Sequence, residues 1–260
     1  MSDRLRDRTA IVTGAAQGIG RGIARKLAEE GATVVVADVQ ADAAGETAAE
    51  LDDDVAAADA SVVAVECDVT SIEDAERLAE TTEERFGAVD VLVNNAGVGG
   101  GGPFPEEMPP EEWHRVIDVN LNGTYNCAYA VAPSMIEAGH GRIVNVSSIA
   151  GQGISYHGAA NYTASKWGII GLTKHLAWDL GGHGVTVNAI CPGAVETPLS
   201  ADQSAGEKAR TAGKIPLGRW SAPEDQANAV AFLASEEADY VTGAVLTVDG
   251  GFSLGPRHDG

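Results

Sequence analysis

Short apolar runs rich in β-branched residues recur along the chain, and most are followed by stretches whose apolar positions return every three or four residues. Residues 9–12, 33–37, 61–67, 89–93, 141–146, 184–190 and 244–248 read as strands. The first of them, Thr-Ala-Ile-Val, has the unbroken apolar character of a strand covered on both faces. Ile23, Ala24, Leu27 and Ala28 then recur at helical spacing, and Gly31 stands where a C-terminal cap belongs. Further helices are predicted over 41–51, 72–86, 113–134, 162–180 and 223–233. Ser71 is placed as the N-cap of the 72–86 helix, three residues before Asp74, and Gly87 ends it. The acidic, Ala-rich stretch 52–60 reads as a fraying helix end and a surface loop. Strands alternating with helices predict an α/β fold, a doubly wound parallel sheet with right-handed crossovers.

In such a sheet, ligands sit at the carboxyl ends of the strands. Between the first strand and the first helix lies Thr13-Gly14-Ala15-Ala16-Gln17-Gly18-Ile19-Gly20. A glycine-rich turn that opens a helix is an anion site, because backbone N–H groups point at a phosphate and glycine admits close approach. The spacing Gly14-x-x-x-Gly18-x-Gly20 is not the commonest dinucleotide fingerprint, so a plain tight turn remains open on this segment alone. The second strand ends on Asp38, about 20 residues past the glycines, where a carboxylate grips ribose hydroxyls. It would repel the extra phosphate of NADP, and neither Gln17 nor Val39 supplies a cation to receive it. NAD is therefore the expected cofactor. Asp68 and Asn95 fall at the ends of the third and fourth strands, and their shared placement strengthens the reading.

Tyr162 and Lys166 stand four apart, one helical turn, on a common face. A phenol normally titrates near pH 10, and a neighbouring ammonium lowers that value, making the tyrosine a usable proton donor and acceptor. The preceding strand delivers Ser147 and Ser148, and Asn120 lies amid apolar residues, where it needs hydrogen-bond partners. Tyr156 and His157 read as substrate contacts or solvated side chains rather than catalysts.

Composition narrows the partners. The 260 residues carry a formal charge of −21, a field that disfavours nucleic acid and anionic membranes. The surface is like that of proteins from salt-accumulating halophiles, which predicts a need for high salt. No apolar run approaches the roughly 18 residues of a membrane-spanning helix, and residues 1–8 lack the apolar core of a signal peptide. A cytoplasmic protein is expected. Cys67, Cys127 and Cys191 have no metal-ligand spacing and read as buried thiols; no metal is expected.

Taken together, Thr13-Gly14-x-x-x-Gly18-x-Gly20, Asp68-Val69, Asn94-Asn95-Ala96-Gly97, Asn120, Ser148, Tyr162-x-x-x-Lys166 and Pro192-Gly193-x-x-x-Thr197 run in the order of the classical short-chain dehydrogenase/reductase family, which the chain resembles over nearly its full length. The resemblance implies one Rossmann-fold domain spanning 1–260, strand order 3-2-1-4-5-6-7, a substrate lid at about 198–217 and a homotetramer. It implies NAD-dependent hydride transfer between a nicotinamide and a secondary alcohol or ketone. The general likeness is to 3-oxoacyl-carrier-protein reductases, which usually favour NADPH, and to sugar or polyol dehydrogenases. Tyr162 would be the acid/base, Ser148 would hold the substrate oxygen, Lys166 would bond the nicotinamide ribose, and Asn120 would hold a relay water. Cofactor contacts would come from Gly14, Gln17, Gly18, Ile19, Gly20, Asp38, Asp68, Val69, Asn95, Ala96, Gly97, Tyr162, Lys166, Pro192, Gly193, Val195 and Thr197. The alternative is a dinucleotide-binding redox sensor without turnover, against which the acid/base tyrosine speaks.

Overall fold

The computed structural model describes residues 3–55, 60–155 and 159–255. Seven parallel strands form one sheet in the order β3-β2-β1-β4-β5-β6-β7. They are β1 (Thr9–Thr13), β2 (Thr33–Asp38), β3 (Val62–Glu66), β4 (Val91–Asn94), β5 (Gly141–Val146), β6 (Val185–Pro192) and β7 (Val245–Val248). The helices are α1 (Gly18–Glu29), α2 (Ala41–Val55), α3 (Ile72–Phe86), α4 (Pro110–Ile117), α5 (Gly123–Ala138), α6 (Ala160–Leu180), α7 (Ala205–Ala212) and α8 (Pro223–Ala234). Strand order reverses between β1 and β4, the switch point at which open α/β sheets bind ligands.

The inner strands β1 and β4 are largely apolar because both faces are covered, whereas the edge strands β3 and β7 are partly exposed. Ala10, Val12, Val34 and Val36 point into a core shared with α1, α2 and α8. Their neighbours Ile11, Val35 and Ala37 point into the opposite core, with Leu78 of α3, Val131 of α5 and Leu180 of α6. A period of two, read on two buried faces, becomes a continuous apolar run. All three cysteines are buried, as expected, and Cys67 and Cys127 lie together in the second core.

Local signals placed most boundaries. Ser71 Oγ accepts the Asp74 N–H at 3.0 Å, and Gly31 follows α1 with φ +96°. The predicted 113–134 helix is instead two helices joined by a π-helical turn, Asp118–Asn122, and it continues past Pro133 to a left-handed Gly139. One extra residue in that turn leaves no periodicity to read, and it carries Asn120 fully inside. Inside the 198–217 segment lies α7, which sequence reading missed. Its Ser204-x-x-Glu207 capping box was a usable signal: Ser204 Oγ accepts the Glu207 N–H, and Glu207 reaches back to the Ser204 N–H. Among the described residues, no helix is long and apolar enough to cross a membrane.

Candidate active site

The turn after β1 is built around glycines that other residues cannot replace. Gly14 (φ +62°) and Gly18 (φ +59°) are left-handed, and a Cβ on Gly14 would come within 2.7 Å of Ala96 Cα. Gly20 packs against the Gly14 carbonyl and the Asn95 amide. Gln17 is the exposed, extended N-cap of α1 and has no capping bond from its own side chain. Ile19 is half-buried against the core. The result is a bare backbone cradle at the start of a helix, which fits a diphosphate.

The end of β4 is riveted to this turn. Thr13 Oγ1 accepts the N–H groups of Asn95 and Ala96, each at 3.1 Å, and Asn95 Nδ2 donates to the Thr13 and Gly14 carbonyls, each at 2.9 Å. Asn95 thus spends its amide on shaping the turn. Thr13 opens the glycine motif in the sequence, but the role of its hydroxyl was not read there; a polar residue closing an apolar strand was the available sign.

Asp38 ends β2 with its side chain turned to the same turn. Its carboxylate accepts the Ala16 N–H at 3.1 Å and the Gln40 N–H at 3.0 Å, and the residue is 7% exposed. Two backbone donors leave lone pairs on both oxygens for a ribose hydroxyl. Asp68 follows β3, where its Oδ1 accepts from Thr70, and Val69 is buried with its carbonyl taken by Asn126 Nδ2 at 2.9 Å.

Past the switch point, Lys166, Tyr162, Ser148 and Asn120 lie within one network. Lys166 is 4% exposed, and its Nζ donates to the Val146 carbonyl at 2.9 Å and lies 5.6 Å from the centre of the Tyr162 ring. A Cβ on Gly97 would stand 3.6 Å from that Nζ, so the small residue leaves the ammonium room. Burial lowers the Lys166 pKa to about 8. Burial also raises the Tyr162 pKa, only partly opposed by a hydrogen bond with Ser148. This differs from the sequence expectation of a lysine-lowered phenol. In the chain by itself desolvation outweighs the other influences on the ring, and Lys166 has its donor turned to Val146.

The two serines separate as strand alternation predicts. Ser147 Oγ is buried and donates to the Lys166 carbonyl at 2.9 Å, whereas Ser148 Oγ accepts the Ala150 N–H and faces Tyr162. Asn120 Oδ1 accepts the Val98 N–H at 2.8 Å, and its Nδ2 donates to the Val98 carbonyl and to Ser165 Oγ, each at 3.1 Å. Tyr156 and His157 lie outside the described residues.

At the end of β6, Pro192 is buried, and Gly193 sits where a Cβ would come within 2.7 Å of Asp249 Cβ. Val195 is buried and bridged to Ser221, and Thr197 stands opposite the glycine turn, 3.6 Å from where a Gly18 Cβ would be. The glycine turn and the segment after β6 thereby face each other across the switch point. Beneath it runs a buried chain that sequence reading missed: Asn94 Nδ2 to Asn145 Oδ1, and Asn145 Nδ2 to Thr173 Oγ1, each at 2.9 Å.

With this geometry in place, comparison with known proteins becomes specific. A family model described as enoyl-(acyl carrier protein) reductase matches residues 14–253. The chain belongs to the short-chain dehydrogenase/reductase family, oxidoreductases that bind a nicotinamide cofactor and act on CH–OH groups and their carbonyl counterparts. It is 41% identical over 256 residues to a 3-oxoacyl-[acyl-carrier-protein] reductase of Thermotoga maritima, covering 96% of this chain and 100% of that one. It is 40% identical over 257 residues to trans-4-hydroxycyclohexanecarboxylate dehydrogenase of Sinomonas cyclohexanicum, covering 98% and 96%. Among solved structures it resembles levodione reductase, with a TM-score of 0.89, 33% identity, and coverage of 96% and 99%. The expected Rossmann architecture and strand order stand, as does the activity class of a secondary alcohol or ketone oxidoreductase.

Proposed function

We propose that this chain is an NAD-dependent dehydrogenase in which Tyr162 is the acid/base. The observation that carries the cofactor choice is Asp38, a buried carboxylate at the end of β2 with one oxygen on the Ala16 N–H of the glycine turn. A second negative group beside it, the 2′-phosphate of NADP, would meet like charge in a poorly solvated place. The ribose hydroxyls of NAD would instead donate to it. Gly14, Gln17, Gly18, Ile19 and Gly20 would cradle the diphosphate. Asp68, Val69, Asn95, Ala96 and Gly97 would line the adenosine side and the middle of the cofactor. Pro192, Gly193, Val195 and Thr197 would hold the carboxamide end.

A bound nicotinamide supplies the hydride or accepts it. The chain's own residues manage the proton and the charge. Ser148 hydrogen-bonds the substrate oxygen and stabilises charge developing on it. Tyr162 gives that oxygen a proton in reduction and takes it back in oxidation. Lys166, an ammonium on the edge of titrating, bonds the ribose and favours the phenolate when cofactor and substrate complete the site. Asn120, tied to Val98 at both ends of its amide, would hold a water that links Lys166 to solvent.

The substrate is a secondary alcohol or ketone, a 3-oxoacyl thioester or a cyclic alcohol among the candidates; the named activities of the relatives support that range. The 198–217 segment acts as a lid, since α7 buries none of its residues. A homotetramer is supported by an apolar groove of about 210 Å³ between α5 and α6, lined by Tyr125, Tyr129, Ile136 and Leu180 among others. Trp178 (84% exposed) on α6 adds apolar surface. We place the protein in the cytoplasm of a salt-accumulating cell; its melting temperature then rises from dilute buffer to molar KCl, as salt screens the −21 charge.

The test is oxidation of NADH and of NADPH against cyclic ketones and 3-oxoacyl thioesters in molar KCl, with the reverse reactions on the alcohols. NADH-linked turnover that disappears in Tyr162→Phe is expected. Turnover with NADPH alone would overturn the cofactor assignment.

A further inference from the structure

The first turn of α6 lacks an ordinary cap. Its N-cap is Ala159, which has no side-chain acceptor, while the N–H groups of a first turn have no partner within the helix. The N–H of Tyr162 is one of these orphans, and Asn161 Oδ1 accepts it at 2.8 Å. Asn161 is 0% exposed, and its Nδ2 donates to the Glu112 carbonyl of α4 at 3.1 Å. On the other side of the tyrosine, its carbonyl accepts from Ser165 Oγ at 2.8 Å, and that oxygen accepts from Asn120. Both backbone polar groups of Tyr162 therefore end on side chains whose further bonds leave α6.

Asn161 also meets the glycine-rich loop after β4. A Cβ on Gly100 would collide with Asn161 Oδ1 and come within 3.1 Å of Ala159 Cβ and N. The same loop is held from α4, where Arg115 Nη2 donates to the Gly99 carbonyl at 3.1 Å. Loop, α4 and the start of α6 thus converge on one buried amide.

We infer that Asn161 is a positioning residue, which sets the phenol of Tyr162 in place by tying its backbone N–H to α4. The inference rests on the acid/base role proposed for Tyr162, and Asn161 acts through that residue rather than on the reacting atoms. A helix start that drifts by a fraction of an ångström moves the phenol against Ser148 and the substrate oxygen. Misplacement on the scale of 1 Å costs about a hundredfold in rate.

The test compares Asn161→Ala, Gly100→Ala and the double variant in the full chain with NAD bound. Tyrosine labelled with carbon-13 at Cζ reports the titration of Tyr162, assigned through Tyr162→Phe. The groups that face the phenol, Ser148 after β5, Lys166 on α6 and Cys191 on β6, are the same in every variant. The titration of this phenol is set by its place among those groups, so a loosened tyrosine titrates at a midpoint shifted from that of wild type. With a turned-over alcohol, kcat falls about 10- to 100-fold, while KM for NAD and the affinity for NADH stay within about twofold of wild type. Gly100→Ala produces both effects by pushing Asn161 aside, and its effects are smaller in the Asn161→Ala background, where only the tight contacts with Ala159 remain. An unchanged Tyr162 titration in Asn161→Ala overturns the inference. So does a Gly100→Ala effect of equal size in both backgrounds, and should Asn161→Ala not fold, an unchanged titration in Gly100→Ala alone overturns it. Absence of turnover in the wild type defeats the acid/base reading instead, and the titration still decides the role of Asn161.

Discussion

The two ends of the sheet use charge in opposite ways. At the amino ends of the strands, Arg4 pairs with Glu30 (2.6 Å) and Glu237 (3.2 Å), Arg8 with Asp90 (3.0 Å) and Glu236 (3.1 Å), and the buried Arg142 with Asp239. A cleft of about 500 Å³ lies there, walled by Arg4, Arg8, Glu236 and Glu237 among others, whose charges are mutually paired. At the carboxyl ends the polar groups are mostly neutral amides and hydroxyls, and the one buried cation, Lys166, has no carboxylate partner among the described residues. Paired charge ties chain segments together and leaves little free for chemistry. A lone desolvated ammonium near a phenol is costly to hold and chemically useful. The cleft at the amino end is therefore a structural seam, and the groups proposed to react sit at the other end.

Substitutions that break this division rank by their effect. Tyr162→Phe removes the proton donor and lowers kcat by about a thousandfold, while unfolding temperature and NADH affinity stay near wild type; initial rates and fluorescence titration check both. Asp38→Ala relaxes the preference for NAD over NADP by about 10- to 100-fold on loss of roughly 1.4 to 2.7 kcal/mol of discrimination. It also leaves the Ala16 and Gln40 N–H groups without their acceptor, at about 1 kcal/mol of stability. A variant still strictly NAD-selective would show that the discriminating group lies elsewhere.

Lys166→Met sharpens the contrast because activity and stability move in opposite directions. The folded pKa of Lys166, about 8, lies below its ordinary 10.5. Between those values the unfolded chain holds more protons than the folded one, so the penalty is fully present below pH 8 and is relieved as pH rises toward 10.5. Lys166→Met should melt higher at pH 7, on the order of 5 °C, show a smaller gain in stability between pH 8 and 10, and lose turnover. The smallest effect belongs to the amino end. Asp239→Ala leaves the buried Arg142 with the Gly141 carbonyl as its partner, costs about 2 kcal/mol in denaturant unfolding, and leaves kcat unchanged.

The same contrast explains what could be read from the sequence. Strands covered on both faces, caps such as Ser71, and the placement of Gly14, Asp38 and Asn95 at the carboxyl ends of strands are local signals, and each was legible. Asn161 was not, because its partner Glu112 lies 49 positions away and no period or motif connects them. The chain from Asn94 through Asn145 to Thr173 was hidden for the same reason. The direction of the Tyr162 pKa depends on burial contributed by several elements at once, so the four-residue spacing to Lys166 suggested the opposite sign. Arg142 and Asp239, 97 apart in sequence, likewise meet only in the folded chain.

The most direct test of the account is a single-turnover mixing experiment, in which protein preloaded with NADH meets a cyclic ketone. Wild type is predicted to lose the absorbance of the reduced nicotinamide within the first turnover. Tyr162→Phe, binding NADH equally well, is predicted to retain it about a thousand times longer. Loss at a comparable rate in the variant would contradict the assignment of Tyr162 as the acid/base.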